Sequence, residues 1–287
     1  MEESTHVTIG LVCYNADKFL FNSINSILNQ DYKNFELIIT NDGSTDNTFN
    51  IINSFNDDRI KFLNYNANMG LAFRLNEQIN LSRCKYFMRM DADDIMFSNR
   101  LRIQLNFLQS NQDIDVIGSY AIVFNEFNTI TGLRKSKEYF DKKNIFFNIP
   151  FIHPSIMGKT SWFLNYEYNS NFSGCEDLDL WFRSFNNSKF GLIKEPLLFY
   201  RDPLKLRFSI YFNRSIIIIK LLNMYFKSKD VSFFFFLKCV FYIIFKNIIH
   251  SILYLFNLMP IIIKRRNKVL SNKDYTFFSN MLNSILK

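Results

Sequence analysis

Phe35-Glu36-Leu37-Ile38-Ile39-Thr40-Asn41-Asp42-Gly43-Ser44-Thr45-Asp46 is a short apolar run that breaks off into a polar turn. The run is too short for a helix, and Asn-Asp-Gly is turn chemistry. It predicts a buried strand, a loop, and then a helix through Ile51, Ile52 and Phe55. The same unit recurs on both sides. Upstream, Val7 to Cys13 reads as a strand, and Phe19, Leu20, Ile24, Ile27 and Leu28 follow at helical spacing. Downstream, strands at Ile60 to Asn64, Tyr86 to Met90 and Asp115 to Tyr120 alternate with helices at Leu71 to Leu81 and Arg100 to Leu108. Such alternation predicts an α/β fold, Rossmann-like, with a mostly parallel central sheet flanked by helices. Open α/β sheets bind ligands beyond the carboxyl ends of their strands. Asn15, Asn41 with Asp42, Asn66 with Asn68, and the run Asp91-Ala92-Asp93-Asp94 all fall at such ends.

The pattern weakens between residues 125 and 148, where charged and aromatic residues mix without a clear period. From Ser209 onward the texture changes to Ile216-Ile217-Ile218-Ile219, Phe233 to Phe236, and a nearly continuous apolar stretch to Ile263 that closes on Lys264-Arg265-Arg266. Charge divides at the same place. The net +8 is carried wholly by residues 201–287, which hold 15 Lys and Arg against 3 Asp and Glu. Basic residues interleaved with apolar runs suit an anionic membrane surface and argue against a nucleic-acid groove. From Asn247 to Ile263 there are 17 residues without a charge, but His250, two Asn and Pro260 interrupt them, so interfacial amphipathic helices are expected in preference to a bilayer span. The division expected is a catalytic domain at 1–208 and a membrane-associating helical region at 209–287. Cys13, Cys84, Cys175 and Cys239 show no metal-like spacing, and the polar, acidic start from Met1 to Thr8 has no signal-peptide pattern. The expected location is cytoplasmic, peripheral on the inner face of the cell membrane.

Three acidic motifs bear on chemistry. Asp91-Ala92-Asp93-Asp94 packs three carboxylates into four residues, which costs energy unless a cation sits among them. Mg²⁺ or Mn²⁺ bridging to a diphosphate is one answer, and a solvated turn capping the next helix is the other. Asn41-Asp42-Gly43-Ser44 is either an ordinary capped turn or a place where Asp42 receives a base or ribose. Glu176-Asp177 opens an amphipathic helix through Leu178, Trp181 and Phe182. There the pair either answers the helix dipole or supplies a general base. His153, one of three histidines, is a structural residue or a metal or substrate contact.

The order and spacing of these pieces resemble the large family 2 class of glycosyltransferases with the GT-A fold. The likeness covers residues 7 to about 182 and rests on Tyr14-Asn15, Ser26-Ile27-Leu28-Asn29-Gln30, Phe35 to Asp46, Asn68-Met69-Gly70-Leu71-Ala72, Arg89 to Asp94, Asn99-Arg100-Leu101, His153-Pro154-Ser155 and Glu176-Asp177. It implies an inverting transfer of a sugar from a nucleotide-sugar donor to an acceptor hydroxyl. Asp42 would lie at the base, with Asn15, Asp91 and Arg100 also at the nucleotide sugar. Asp93 would hold a divalent metal, Mn²⁺ or Mg²⁺, with His153 beside it. Asp177 would be the catalytic base, and Glu176 its support or a contact to the acceptor. Asn41 stands where many members have Asp. The Gln-x-x-Arg-Trp motif of processive synthases is absent, which argues for addition of a single sugar. Tyr200-Arg201 resembles a pair found in relatives, but Asp202-Pro203-Leu204 after it is atypical and Arg201 is given no role.

Rival classes fit less well. The chain has only eight glycines and no G-x-G-x-x-G after its first strand, against a dinucleotide oxidoreductase, and it has no P-loop. A membrane-attached scaffold that had lost turnover would be expected to have lost a carboxylate cluster, and all three stand. UDP is the favoured nucleotide by base rate alone. The basic, apolar C-terminal region makes a lipid-linked saccharide, or another saccharide of surface polysaccharide or glycolipid synthesis, the expected acceptor.

Overall fold

The computed structural model describes residues 6–137, 141–142, 144–203, 208–256, 258 and 266–286. Four strands form the parallel half of the sheet: β1 (Val7–Cys13), β2 (Phe35–Asp42), β3 (Ile60–Tyr65) and β4 (Tyr86–Asp91), in the order β3-β2-β1-β4. β1, β2 and β4 are buried almost throughout, as the unbroken apolar runs require of strands covered on both faces. The covering helices are α1 (Leu20–Leu28), α2 (Thr48–Asn53) and α3 (Leu71–Leu81). In α1 the buried residues Leu20, Ser23, Ile24 and Ile27 recur every three or four positions, so one stripe faces the sheet.

The second half departs from a parallel pattern. β5 (Ile95–Met96), α4 (Arg100–Ser110), β6 (Val116–Phe124), β7 (Ile130–Arg134), β8 (Met157–Lys159), α5 (Thr160–Asn165), α6 (Glu176–Ser184) and β9 (Phe190–Arg201) continue the sheet as β4-β8-β6-β9-β5, with β7 beside β6. β8 is antiparallel to both β4 and β6, β7 to β6, and β5 to β9. β6 and β9 are parallel. The stretch where no period was visible, residues 125–148, begins with the turn of the β6–β7 hairpin and with β7 itself. The turn is built by Asn125, whose Oδ1 accepts from the amides of Phe127 and Thr129.

Three helices follow: α7 (Phe208–Lys227), α8 (Phe233–Leu255) and α9 (Asn272–Leu286). α7 is latched to α6, because the Tyr225 hydroxyl donates to the wholly buried Asp179, which also receives Arg183. Leu221, Leu222 and Tyr225 of α7 join Trp181 and Phe163 in one core, to which α8 adds Cys239 and Ile243. The last segment turns back onto the sheet. Leu133 and Lys268 exchange backbone hydrogen bonds, and Leu282 of α9 is buried with Ile95, Phe97, Phe124 and Phe199. Its polar and aromatic alternation gave no hint of this, since Leu282 is the one fully buried residue of the helix and the others packed on the sheet, Phe278 and Met281 among them, stay partly exposed. Pro260 and Lys264-Arg265, which close the apolar run, lie outside the described residues, as does the start through Thr5.

Candidate active site

Strand register brings the motifs together. Cys13 pairs with Asn41, and Val12 with Asp91, so the loops after β1, β2 and β4 open at one level of the sheet. Asn15 adopts a left-handed backbone (φ 48°), which Asn tolerates better than most residues. From there its Oδ1 accepts from the Thr45 amide at 2.9 Å, and its own amide donates to Ser44 Oγ at 3.0 Å. Asp46 completes this lacing, accepting from the amides of Asp17 and Thr48. Asn15 therefore fixes the two loops to each other.

Asp42 is 1% exposed, and its carboxylate takes the amides of Met69 (2.9 Å) and Gly70 (2.8 Å) and Nε of Arg74 (2.7 Å). Arg74 lies over the Tyr65 ring. Gly43 has φ +75°, and a Cβ there would stand 2.8 Å from the Ala67 carbonyl carbon, so glycine lets the 67–70 loop close over the turn. The visible work of Asp42 is to clamp that loop. A carboxylate accepts about four hydrogen bonds, so one position remains for a ligand. Asp42→Asn is expected to cost about 1–3 kcal/mol of stability in urea unfolding, because it takes the nearer carboxylate from a buried guanidinium and leaves it only the partly exposed Glu77. A loss below about 1 kcal/mol would show that the ion pair is not a structural clamp.

The acidic turn is held from every side. Ser23 Oγ donates to the Asp91 carbonyl, and Ser26 Oγ accepts the Met96 amide. Gln30 bonds Phe97 and Leu101. The role of the Ser26 to Gln30 motif is thus to brace the exit of the turn. Arg201 donates its backbone amide to Asp94 Oδ1 (2.7 Å) and Nε to the Asp93 carbonyl, while its guanidinium lies between the Phe19 and Phe124 rings. That gives Arg201 the role left open from sequence, a brace behind the turn.

Oxygens of Asp91, Asp93 and Asp94 lie within 4.8 Å of one another. Burial, with the Asp91 charge next in weight, pushes the Asp93 carboxyl up to about 6. Burial and both neighbours hold Asp94 well above the usual carboxylate range. Asp94 Oδ2 is buried without a hydrogen-bond partner. An orphaned carboxylate oxygen inside a like-charged cluster fits a divalent cation, and hard oxygen donors are what Mg²⁺ or Mn²⁺ takes.

Arg100 and His153 stand outside the group of three carboxylates. Arg100 does not reach the cleft: it is wholly buried and donates to Gln104 Oε1 and to the carbonyls of Arg89 and Pro154. The resemblance placed it at the nucleotide sugar, but α4 turns this face inward, and three acceptors in one pocket hold a planar fork of donors. His153 is not grouped with the carboxylates. Its Nε2 meets the Tyr168 hydroxyl at 2.9 Å, and burial followed by the charges of Arg89 and Arg214 holds its pKa well below the ordinary imidazole value. It stands as a neutral wall residue.

Across from the turn, Glu176 and Asp177 begin α6, preceded by Gly174 at φ +82°. Glu176 accepts the Gly174 amide, and burial followed by the Asp177 charge raises its pKa. Asp177 accepts the Leu178 amide and lies 3.8 Å from Arg214 of α7. A cleft of about 330 Å³ joins Asp91, Arg89, His153, Glu176, Asp177 and Arg214, with Tyr200, Arg134 and Phe151 along its wall. Asp93, Asp42 and Asn15 do not line it.

Arg89 was missed as a site residue. It is 3% exposed and donates to Asp91 Oδ1 at 2.6 Å. Its Nε and Nη1 have no partner in the protein. Burial opposes its charge, but Asp91, Tyr168, Glu176 and Asp177 outweigh that and raise its pKa. The signal was present: a lone Arg inside the apolar run from Tyr86 to Met90 must be buried, and a buried charge needs carboxylates. Arg214 gave no such signal, being one cation among many in a basic helix.

Comparison with known proteins agrees with this geometry. The profile of glycosyl transferase family 2 matches residues 8–165. An uncharacterised glycosyltransferase of Methanocaldococcus jannaschii is 34% identical over 205 residues, covering 69% of this chain and 71% of the relative. EpsE of Bacillus subtilis, named as a glycosyltransferase, is 33% identical over 205 residues, covering 69% and 73%. The structure of S. aureus TarS 1–349 in complex with UDP superposes with a TM-score of 0.57 at 15% identity, covering 76% of this chain. This chain spans 65% of that TarS fragment.

Proposed function

The chain belongs to glycosyl transferase family 2, and from that premise we propose that it moves a single sugar, with inversion, from a nucleotide-diphosphate donor to an acceptor hydroxyl. The observation that carries this reading is the cleft in which Asp177 and Glu176 face Asp91 and Arg89. Asp177 takes the proton of the acceptor hydroxyl as its oxygen attacks the anomeric carbon. The bond from that carbon to the diphosphate oxygen breaks, and its electron pair leaves with the nucleoside diphosphate. Glu176, fixed by the Gly174 amide, holds the start of α6 in place. Arg89, with two unpartnered donors, meets charge that develops on the departing diphosphate. Asp91 and Asp93, with Asp94 behind them, are the residues that would hold a divalent metal, Mn²⁺ or Mg²⁺. When bound, such an ion neutralises the leaving diphosphate. Asp42 and Asn15 present the base with the loops they fix.

TarS was solved with UDP and with UDP-GlcNAc, which supports a uridine diphosphate donor. The test is thermal stabilisation and donor hydrolysis across a panel of nucleotide sugars with Mn²⁺, Mg²⁺ or EDTA. One sugar nucleotide is expected to stabilise the protein only with metal, and silence across the panel would overturn the reading.

The role at the membrane is part of the same proposal, with the enzyme lying on the inner face of the cell membrane and acting in surface polysaccharide or glycolipid synthesis. Among the described residues α8 is the one helix long and apolar enough to cross a bilayer. Its inner face, Cys239, Ile243 and His250, is buried. Phe234, Phe241, Phe245, Ile248, Ile252 and Leu255 form an exposed stripe at spacings of seven, four and three residues. A helix packed on one side and apolar on the other lies in an interface. The full chain is expected to float with vesicles containing anionic lipid, and Phe241→Ser with Phe245→Ser to abolish this. A chain that stays wholly soluble refutes the anchoring.

A further inference from the structure

A second cavity of about 570 Å³ adjoins the active-site cleft, and Arg134, Lys135, Ile149 and Arg214 line both. It runs between residues 134–137 and 145–149 on one side and helices α7 and α8 on the other. Six cations line it, Arg134, Lys135, Lys137, Arg214, Lys246 and Arg266, and among the described residues no carboxylate does. Arg134 is engaged by Asp202, and Arg214 stands near Asp177. Among the described residues Lys137, Lys246 and Arg266 have no carboxylate at salt-bridge distance. Gathering like charges around one space is unfavourable unless an anion occupies it. Apart from Asn148 and Ser215 the remaining wall is largely apolar, with Phe146, Ile218, Tyr242 and Ile243, so a free anion would leave much of the cavity unmatched. The volume falls in the ordinary range of small-molecule sites, roughly 300–1,000 Å³. Tyr242, Ile243 and Lys246 come from α8, the helix whose outer side carries the exposed apolar stripe.

We infer that this cavity holds the phosphate or diphosphate and the first part of the chain of a lipid-linked acceptor, whose accepting sugar reaches Asp177 in the adjoining cleft. The inference rests on the proposed transfer reaction, commits to the lipid-linked acceptor among those expected, and adds the seat of its phosphate and chain. The phosphate lies against Lys246, Arg266 and Lys137, the apolar chain follows Phe146, Ile218 and Tyr242, and the exposed side of α8 brings the cavity to the lipid. Arg214, shared by both spaces, marks the boundary between the charged group and the reacting hydroxyl.

The experiment is calorimetric titration of the full chain in EDTA with three probes: farnesyl diphosphate, inorganic pyrophosphate and farnesol. EDTA keeps diphosphate from being drawn to a metal at the acidic turn. Farnesyl diphosphate is expected to bind at least about tenfold more tightly than either half of it, since neither half meets both walls. The double variant Lys246→Gln with Arg266→Gln is expected to weaken it by about tenfold or more, and Lys246→Arg with Arg266→Lys to restore it. Metal-dependent donor hydrolysis persists in both. Equal binding of pyrophosphate reduces the cavity to an anion site, equal binding of farnesol reduces it to an apolar hole, and an unchanged double variant removes its cations from the account. Each overturns the inference. No binding of farnesyl diphosphate by the unsubstituted chain, beside intact donor hydrolysis, overturns this site alone. Failure of every nucleotide sugar overturns the transfer reading and is scored separately.

Discussion

Asp177→Asn is expected to lower turnover by about 10²–10⁴-fold, the usual worth of a general base, while metal-dependent binding of the nucleotide sugar stays within about threefold. The substitution is nearly isosteric. Asp177 Oδ1 accepts the Leu178 amide at the start of α6, and an Asn carbonyl oxygen keeps that bond, so the helix does not unravel. What is lost is the ability to take a proton. Glu176→Gln is the comparison: Glu176 is tied to the Gly174 amide and burial already raises its pKa, so removing its charge changes the base less directly. The expected order is a far larger fall in kcat for Asp177→Asn than for Glu176→Gln, with KM for the donor little changed in both. If Glu176→Gln fell further, the roles of the two carboxylates would be exchanged. If neither fell, α6 would not carry the base, and the cleft would have to be read as a binding site.

How much of this was legible in the chain depends on how local the cause is. The parallel half was legible because a strand covered on both faces must be an unbroken apolar run, and its end must be a polar turn. Phe35 to Asp42 states both facts within eight residues. The antiparallel half was not, because β5 is two residues long and β8 three, and such strands are set by what β9 and β4 offer them. The site divides in the same way. Carboxylates announce themselves by clustering, and Asp91, Glu176 and Asp177 do meet in one cleft. The direction in which a long cation points is a tertiary matter. Arg100 points under the sheet and Arg214 into the cleft, and nothing in their immediate sequence separates them. The return of α9 to the catalytic sheet was hidden for a related reason, since residues 266–286 are held by partners such as Leu133 and Phe97, more than a hundred positions away.

Asp93→Ala is expected to do two opposite things: to lower transfer by about 10³-fold and to make the unliganded protein more stable in EDTA above pH 6. The carboxyls of Asp91, Asp93 and Asp94 crowd each other, and burial with the Asp91 charge lifts Asp93 to about 6. A carboxyl whose folded-state pKa is raised prefers to keep its proton in the fold. Its ionised form therefore costs stability, and that cost sets in as pH rises through the interval from the ordinary carboxyl value to 6. Removing the group returns about 1–2 kcal/mol at pH 8 and nothing near pH 4. Urea unfolding in EDTA at the two pH values reads this directly. Thermal shift with nucleotide sugar and Mn²⁺ then reads the other half, where the variant is expected to lose the metal-dependent stabilisation. An ordinary solvated turn capping α4 predicts the reverse on both counts: slight destabilisation at every pH and an unaltered response to metal. A residue that costs the empty protein stability and is nevertheless required for turnover is held there by what it binds.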